Sequence, residues 1–145
     1  MSADYLAAES PIIARLRDKV PGLAHVGGWS EGQTILSGTK GTPAGLVLFT
    51  GDKIPDSQRY AAVTEQTWCV YVVVREPSTA ATQSAARAQA GPLIAQVIGA
   101  LQGFVPLQGF QECRVAGGVQ ALYYDGGAAA FRIPFRLIGA MTAVL

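Results

Sequence analysis

Apolar residues recur along this chain at two different periods, and the switches between them mark out its elements. Ile12, Ile13, Leu16 and Val20 fall at helical spacing until Pro21-Gly22 stops the run. Ser10 and Pro11 fit an N-cap and a first helical position, with SADYLAAE as an earlier turn of the same helix, kinked at Pro11. AGLVLFTG, residues 44–51, predicts a short strand closed by Gly51-Asp52. In TWCVYVVVRE, Trp68, Val70, Val72 and Val74 take one face and Cys69, Tyr71 and Val73 the other. Both faces are apolar, as in a strand covered on both sides. A second helix is predicted from Pro77-Ser78-Thr79 to about Leu101. Its stripe is Ala86, Ala90, Leu93, Ile94, Val97 and Leu101, and Gly91-Pro92 is expected to kink or distort it. FQECRVAG, VQALYY and AAAFRIPFRLIG then read as three strand-like runs, the last two joined by the turn signal Asp125-Gly126-Gly127.

This order predicts an α+β fold: a mixed or antiparallel sheet of about four to five strands with two main helices packed on one face. Residues 1–145 form one domain on this reading, long enough to bury a core without metal or disulfide support. Between the first helix and the first long strand, GGWSEGQTILSGTKGTP places five glycines and a proline in residues 27–43. Turn formers at that density predict a long exposed loop and a candidate contact arm, with Trp29, Glu31, Gln33 and Lys40 as its contact residues. Trp29 is the notable one, because a tryptophan in a glycine-rich loop either folds onto the core or meets a partner.

In FRIPFRLIG, Phe131, Ile133, Phe135 and Leu137 share one face, while Arg132, Pro134 and Arg136 share the other. Pro134 cannot donate a ladder hydrogen bond, so this strand is expected at a sheet edge or with an irregularity. Arg132 and Arg136 beside it fit either a guarded edge or a surface built to meet something.

Composition sharpens the second possibility. Charged residues are 14% of the chain and the AVILMFWYC set is 50%, with 17 glycines. So little charge covers a free monomer poorly and points to surface buried against partners. The net charge of +1, with no run of like charges, argues against a dedicated nucleic-acid binder. MSADYLAAESP lacks a basic-then-apolar leader pattern, and no window reads as a membrane span, so a soluble protein made in the cytoplasm is expected.

Candidate chemistry is sparse. With one histidine, His25, no multi-histidine metal site can be built. Cys69 and Cys113 sit in apolar strand contexts and read as small buried hydrophobes. GTKGTPAG lacks the phosphate-loop spacing and no helix follows it, while Asp52 and Asp56 in GDKIPD read as a solvated turn. No catalytic residue, metal site or cofactor is expected.

Four stretches together resemble the tail terminator proteins of long-tailed bacteriophages: the helix ending ARLRDKVPGL, the strand-turn AGLVLFTGD, TWCVYVVVRE followed by an Ala-rich helix, and the hairpin YYDGGAAAFRIPFRLIG. The resemblance spans nearly the whole chain as order and pattern. It implies a non-enzymatic virion protein of the tail or neck, assembled in the host cytoplasm and using no cofactor. It further implies a ring, sixfold, on the head-proximal end of the tail tube, which stops tube polymerisation and presents the surface for head joining. Its implied partners are further copies of itself, the tail tube protein, a head-completion or neck protein, and DNA passing in the lumen, with no membrane. Arg75, Arg132 and Arg136 are then candidates for the ring lumen or the subunit interface. Two alternatives stay open. One is another neck or head-completion protein; the other is a small-ligand-binding α+β domain with Arg75, Arg132, Arg136 and Tyr71 around a pocket.

Overall fold

A computed structural model describes residues 4–28, 41–75, 84–124 and 128–142. Helix α1 (Glu9–Lys19) buries Ile12 and Leu16, one turn apart. It starts one residue ahead of Ser10, so Ser10 is not its cap. The N-cap is Ala8, with no side-chain cap, and in the turn ahead of it Asp4 Oδ1 accepts from the amide of Leu6 at 2.9 Å. Pro11 lies in the first turn, where a missing N–H leaves no intrahelical bond unmade.

Strand β1 (His25–Gly27) pairs in parallel with β2 (Ala44–Ser57), and β2 pairs antiparallel with β3 (Ala61–Arg75). Helix α2 (Ser84–Leu101) runs continuously with Pro92 inside it and buries Ala86, Ala90, Leu93, Val97, Ala100 and Leu101. Its expected start at Pro77–Thr79 lies outside the described residues. Strands β4 (Arg114–Val115) and β5 (Gln120–Tyr123) both pair antiparallel with β6 (Ala128–Thr142), which runs along the whole of β3. The sheet order is β1-β2-β3-β6-β4, with β5 also on β6. The fold is therefore α+β with a mixed sheet of six strands among the described residues. The one beyond expectation is β1, whose three residues are too few to show a period.

Both helices pack on one face. Ile12, Leu16 and Val20 of the α1 region join Ala86, Ala90 and Val97 of α2 in one core with Trp68, Val70, Val72, Phe131, Ile133 and Phe135. Arg15 ties the helices together: its Nε donates to the Ala100 carbonyl at 3.0 Å, at the electronegative end of α2, and its guanidinium lies 5.0 Å from the Phe104 ring centre. Arg17 donates from Nε and Nη2 to the Val26 carbonyl, fixing α1 against β1.

The sheet corrects two expectations. First, β2 does not stop at Gly51 but continues through Asp52 and Asp56 to Ser57, so GDKIPD is half of a long ribbon rather than a turn. Register shifts at Phe49/Gly51 and Lys53/Asp56 accommodate it. Pro55 falls in the second shift, where no ladder bond needs its missing N–H. Second, β6 is not an edge. It is held between β3 and the β4/β5 pair, and Pro134 stands opposite Cys69. The carbonyl of Pro134 accepts from Ala116 at 2.9 Å, and in an antiparallel strand the missing N–H faces that same side. There the chain leaves β4 and has not yet begun β5, so the irregularity forced by proline sits in the neighbouring strand. Gly117 lies against the proline ring, and a Cβ there would come within 3.3 Å of its Cγ.

Candidate functional site

Both helices lie on one face of the sheet; the other carries no helix among the described residues, although Ala44, Leu46, Cys69, Val73 and Ala130 on it are buried. Alternation decides what it shows. On β3 the even positions Thr64 to Val74 face the helices and the odd positions Glu65 to Arg75 face away. On β6 the odd positions enter the core, while Ala130, Arg132, Pro134 and Arg136 face away. On β2 the first register shift changes the rule. Leu46 and Leu48 face away before it; Lys53 does so after it, opposite Glu65. Asp52 is thereby turned to the helix side, where its carboxylate accepts from the Tyr5 hydroxyl, which is also hydrogen-bonded to Thr64. Burial and the Asp52 carboxylate together raise the Tyr5 phenol above its ordinary value of 10.0.

The helix-free face has two adjoining parts. One is an apolar groove of about 180 Å³ lined by Leu46, Leu48, Tyr71, Val73, Leu122, Tyr124 and Ala130. Beneath it Ala44, Leu46, Val73 and Ala130 form a small second cluster of buried residues. The other is a polar cleft of about 580 Å³, whose lining includes Thr50, Gly51, Lys53, Glu65, Thr67, Val115, Ala116, Arg132 and Arg136. Register places Arg132 directly opposite Tyr71, so the cleft and the groove meet at that pair.

Within the cleft Arg136 Nη1 lies 3.6 Å from Glu65 Oε1, a diagonal cross-strand pair with both side chains partly exposed. Such a pair contributes at most about 1 kcal/mol. Arg114 stands opposite Arg136 across β4 and β6, and Glu112 takes its guanidinium through Nε at 3.1 Å. Arg132 is half-buried and has no ion-pair partner among the described residues. A guanidinium held partly out of water without a counter-charge favours an anion arriving from outside the subunit.

Of the residues singled out in the sequence, Arg132 and Arg136 come together in the cleft. Arg75 shares their face but stands opposite Ala128, four positions beyond Tyr71, and does not line the cleft. Tyr71 lines the groove, so the four residues that would have surrounded a small ligand do not converge. Trp29, Glu31, Gln33 and Lys40 lie outside the described residues. Thr50 and Lys53 were not anticipated in the cleft, because Gly51 and Pro55 disguise β2 as a turn and the register shift breaks its alternation; Glu65 and Thr67 were not, because they come from β3 and only the pairing with β2 and β6 brings them there.

Neither thiol offers a nucleophile. Cys69 is buried with the Thr50 hydroxyl at 3.4 Å, and burial pushes the Cys113 thiol up to about 11, far from the thiolate that reactivity needs. Among the described residues no three His, Cys, Asp or Glu side chains gather as a metal site, and no helix is long and apolar enough to cross a membrane.

Comparison with known proteins agrees with the architecture. The model of the family described as phage tail terminator protein matches residues 1–141. No curated protein matches the chain. Among solved structures, a chain of the virion of a native gene transfer agent particle shares the fold with a TM-score of 0.61 at 15% identity, over 95% of this chain and 100% of that one.

Proposed function

The chain belongs to the phage tail terminator family of virion structural proteins, and from that footing we propose that it forms a ring on the head-proximal end of the tail tube. The ring is sixfold on this reading; it ends tube growth and offers the surface that joins tail to head. Residues 1–145 act as one domain, assembled into the tail or neck of the virion within the host cytoplasm. The protein works by contact, without catalysis or a cofactor, and its partners are its own copies, the tube protein and a head-completion protein.

The observation that carries this reading is the helix-free sheet face. It couples an apolar groove to a cleft holding a half-buried arginine that has no ion-pair partner among the described residues, and such a face is better covered by protein than by water. Arg132 and Arg136 act at the subunit interface on this reading, and Arg75 contributes at the far end of the same face. The test is polymerisation of purified tail tube protein with and without this chain, with lengths measured by electron microscopy. Tubes should stop at shorter lengths and carry a cap at one end. Unchanged lengths, together with binding to portal-bearing heads and not to tubes, would assign the protein to head completion instead.

A further inference from the structure

The ribbon formed by β2 and β3 carries features that its own subunit does not use. Residues 52–61 are exposed without a break. Within them Ile54 is 56% and Tyr60 51% exposed, and the Asp56 carboxylate has no ion-pair or hydrogen-bond partner among the described residues. Apolar side chains and a carboxylate without a partner on one exposed ribbon are what a docking segment presents.

The helix-free face offers the complement. Arg132 needs an anion, and the groove that begins at its cross-strand neighbour Tyr71 takes aliphatic side chains. The distances are compatible: Ile54 and Asp56 flank Pro55 in the second register shift, two residues and so no more than about 7 Å apart, and facing residues such as Arg132 and Tyr71 are about 5 Å apart. Arm and face are different patches of one molecule. Contact between them can therefore run head to tail, the heterologous kind that repeats around a ring.

We infer that the β2–β3 arm of one copy seats on the helix-free face of the next, with Asp56 paired to Arg132 and Ile54 in the groove beside Tyr71. This inference rests on the ring assembly proposed above. It commits Arg132 to a carboxylate of a second copy and not to the phosphates of DNA.

Charge reversal in the full chain tests it, read by sedimentation velocity with and without tail tubes and with circular dichroism as the control for folding. Asp56→Arg and Arg132→Asp should each weaken self-association at least about tenfold, because each places like charges in the contact. The double variant should return to within about threefold of the unmodified chain, since every interface then carries the swapped pair. Ile54→Asn, at an exposed position, should weaken association while leaving the fold unchanged. Normal assembly by all three single variants would overturn the arm contact and leave the ring reading standing. A chain that stays monomeric even on tubes overturns both. A defect of Arg132→Asp that the double variant does not repair, with loss of binding to duplex DNA, would give Arg132 to phosphate and also overturn the inference.

Discussion

Replacing Gln66 by Leu should destabilise the fold far more than the loss of one surface amide would. Gln66 is fully buried on the helix side of β3, where its Nε2 donates to the Tyr5 carbonyl at 2.7 Å and its Oε1 accepts from the Trp68 indole at 2.9 Å. Leucine fills similar space but leaves the Trp68 N–H buried without an acceptor, at about 1–3 kcal/mol. The Tyr5 carbonyl is nearer solvent and can find water, so its loss adds less; about 2–3 kcal/mol in total is expected. With 145 residues unfolding at roughly 2.1 cal/mol/K each, the melting temperature should fall by about 6–10 °C.

Thermal unfolding by circular dichroism measures the drop. Hydrogen exchange should show earlier loss at the amides of Ala7 and Glu9, whose turn Gln66 anchors through Tyr5. A cycle with Trp68→Phe isolates the pair: removing the indole donor should cost less in the Gln66→Leu background than in the unmodified chain, by about 1 kcal/mol or more. A Gln66→Leu protein within about 0.5 kcal/mol of the unmodified chain would refute the account of Gln66 as the link between the N-terminal segment and the core.

Other outcomes follow from the same geometry. Gly139→Ala should cost about 1–3 kcal/mol in denaturant unfolding, since a Cβ there would lie 2.6 Å from the Phe110 ring; Phe110→Ala combined with it should relieve part of the strain while adding its own cavity loss. Stability should decline as pH rises. The Cys113 thiol is raised by burial from 9.0 to about 11, so its contribution is full below pH 9.0 and lost through about 11, a decrease on the order of 3 kcal/mol that Cys113→Ala should abolish in chemical melts at stepped pH. Tyr5, also raised, adds to the same alkaline limb, and Tyr5→Phe should flatten its upper part. The pair Arg132→Ala, Arg136→Ala should change monomer stability by no more than about 1 kcal/mol, because the Glu65 contact is partly exposed, while impairing assembly.

What the sequence determined by itself was whatever depends on local period. The alternation in FRIPFRL put Phe131, Ile133 and Phe135 on one face and Arg132 beside Arg136 on the other, and that in TWCVYVVV put Trp68 and Val70 on one shared face, as observed, but with both faces of that strand apolar it did not say which one the helices cover. Helical spacing likewise found Ile12, Leu16, Ala86, Ala90 and Val97. These follow from backbone geometry within a few residues, so neighbours in sequence are enough. The tertiary structure alone decided what depends on strands distant in the chain. Pro134 argued for an edge or an irregularity; β6 is central and regular against β3, because the missing donor faces the gap between β4 and β5, and no local pattern records which strand lies alongside. The register shift after Phe49 sent Asp52 to Tyr5 and Lys53 to the cleft, since a residue's face beyond a bulge is set by its partner's register and not by its own parity. Likewise only the pairing of β3 with β6 sets Arg132 opposite Tyr71, where the groove and the cleft of the face on which assembly is proposed to depend meet.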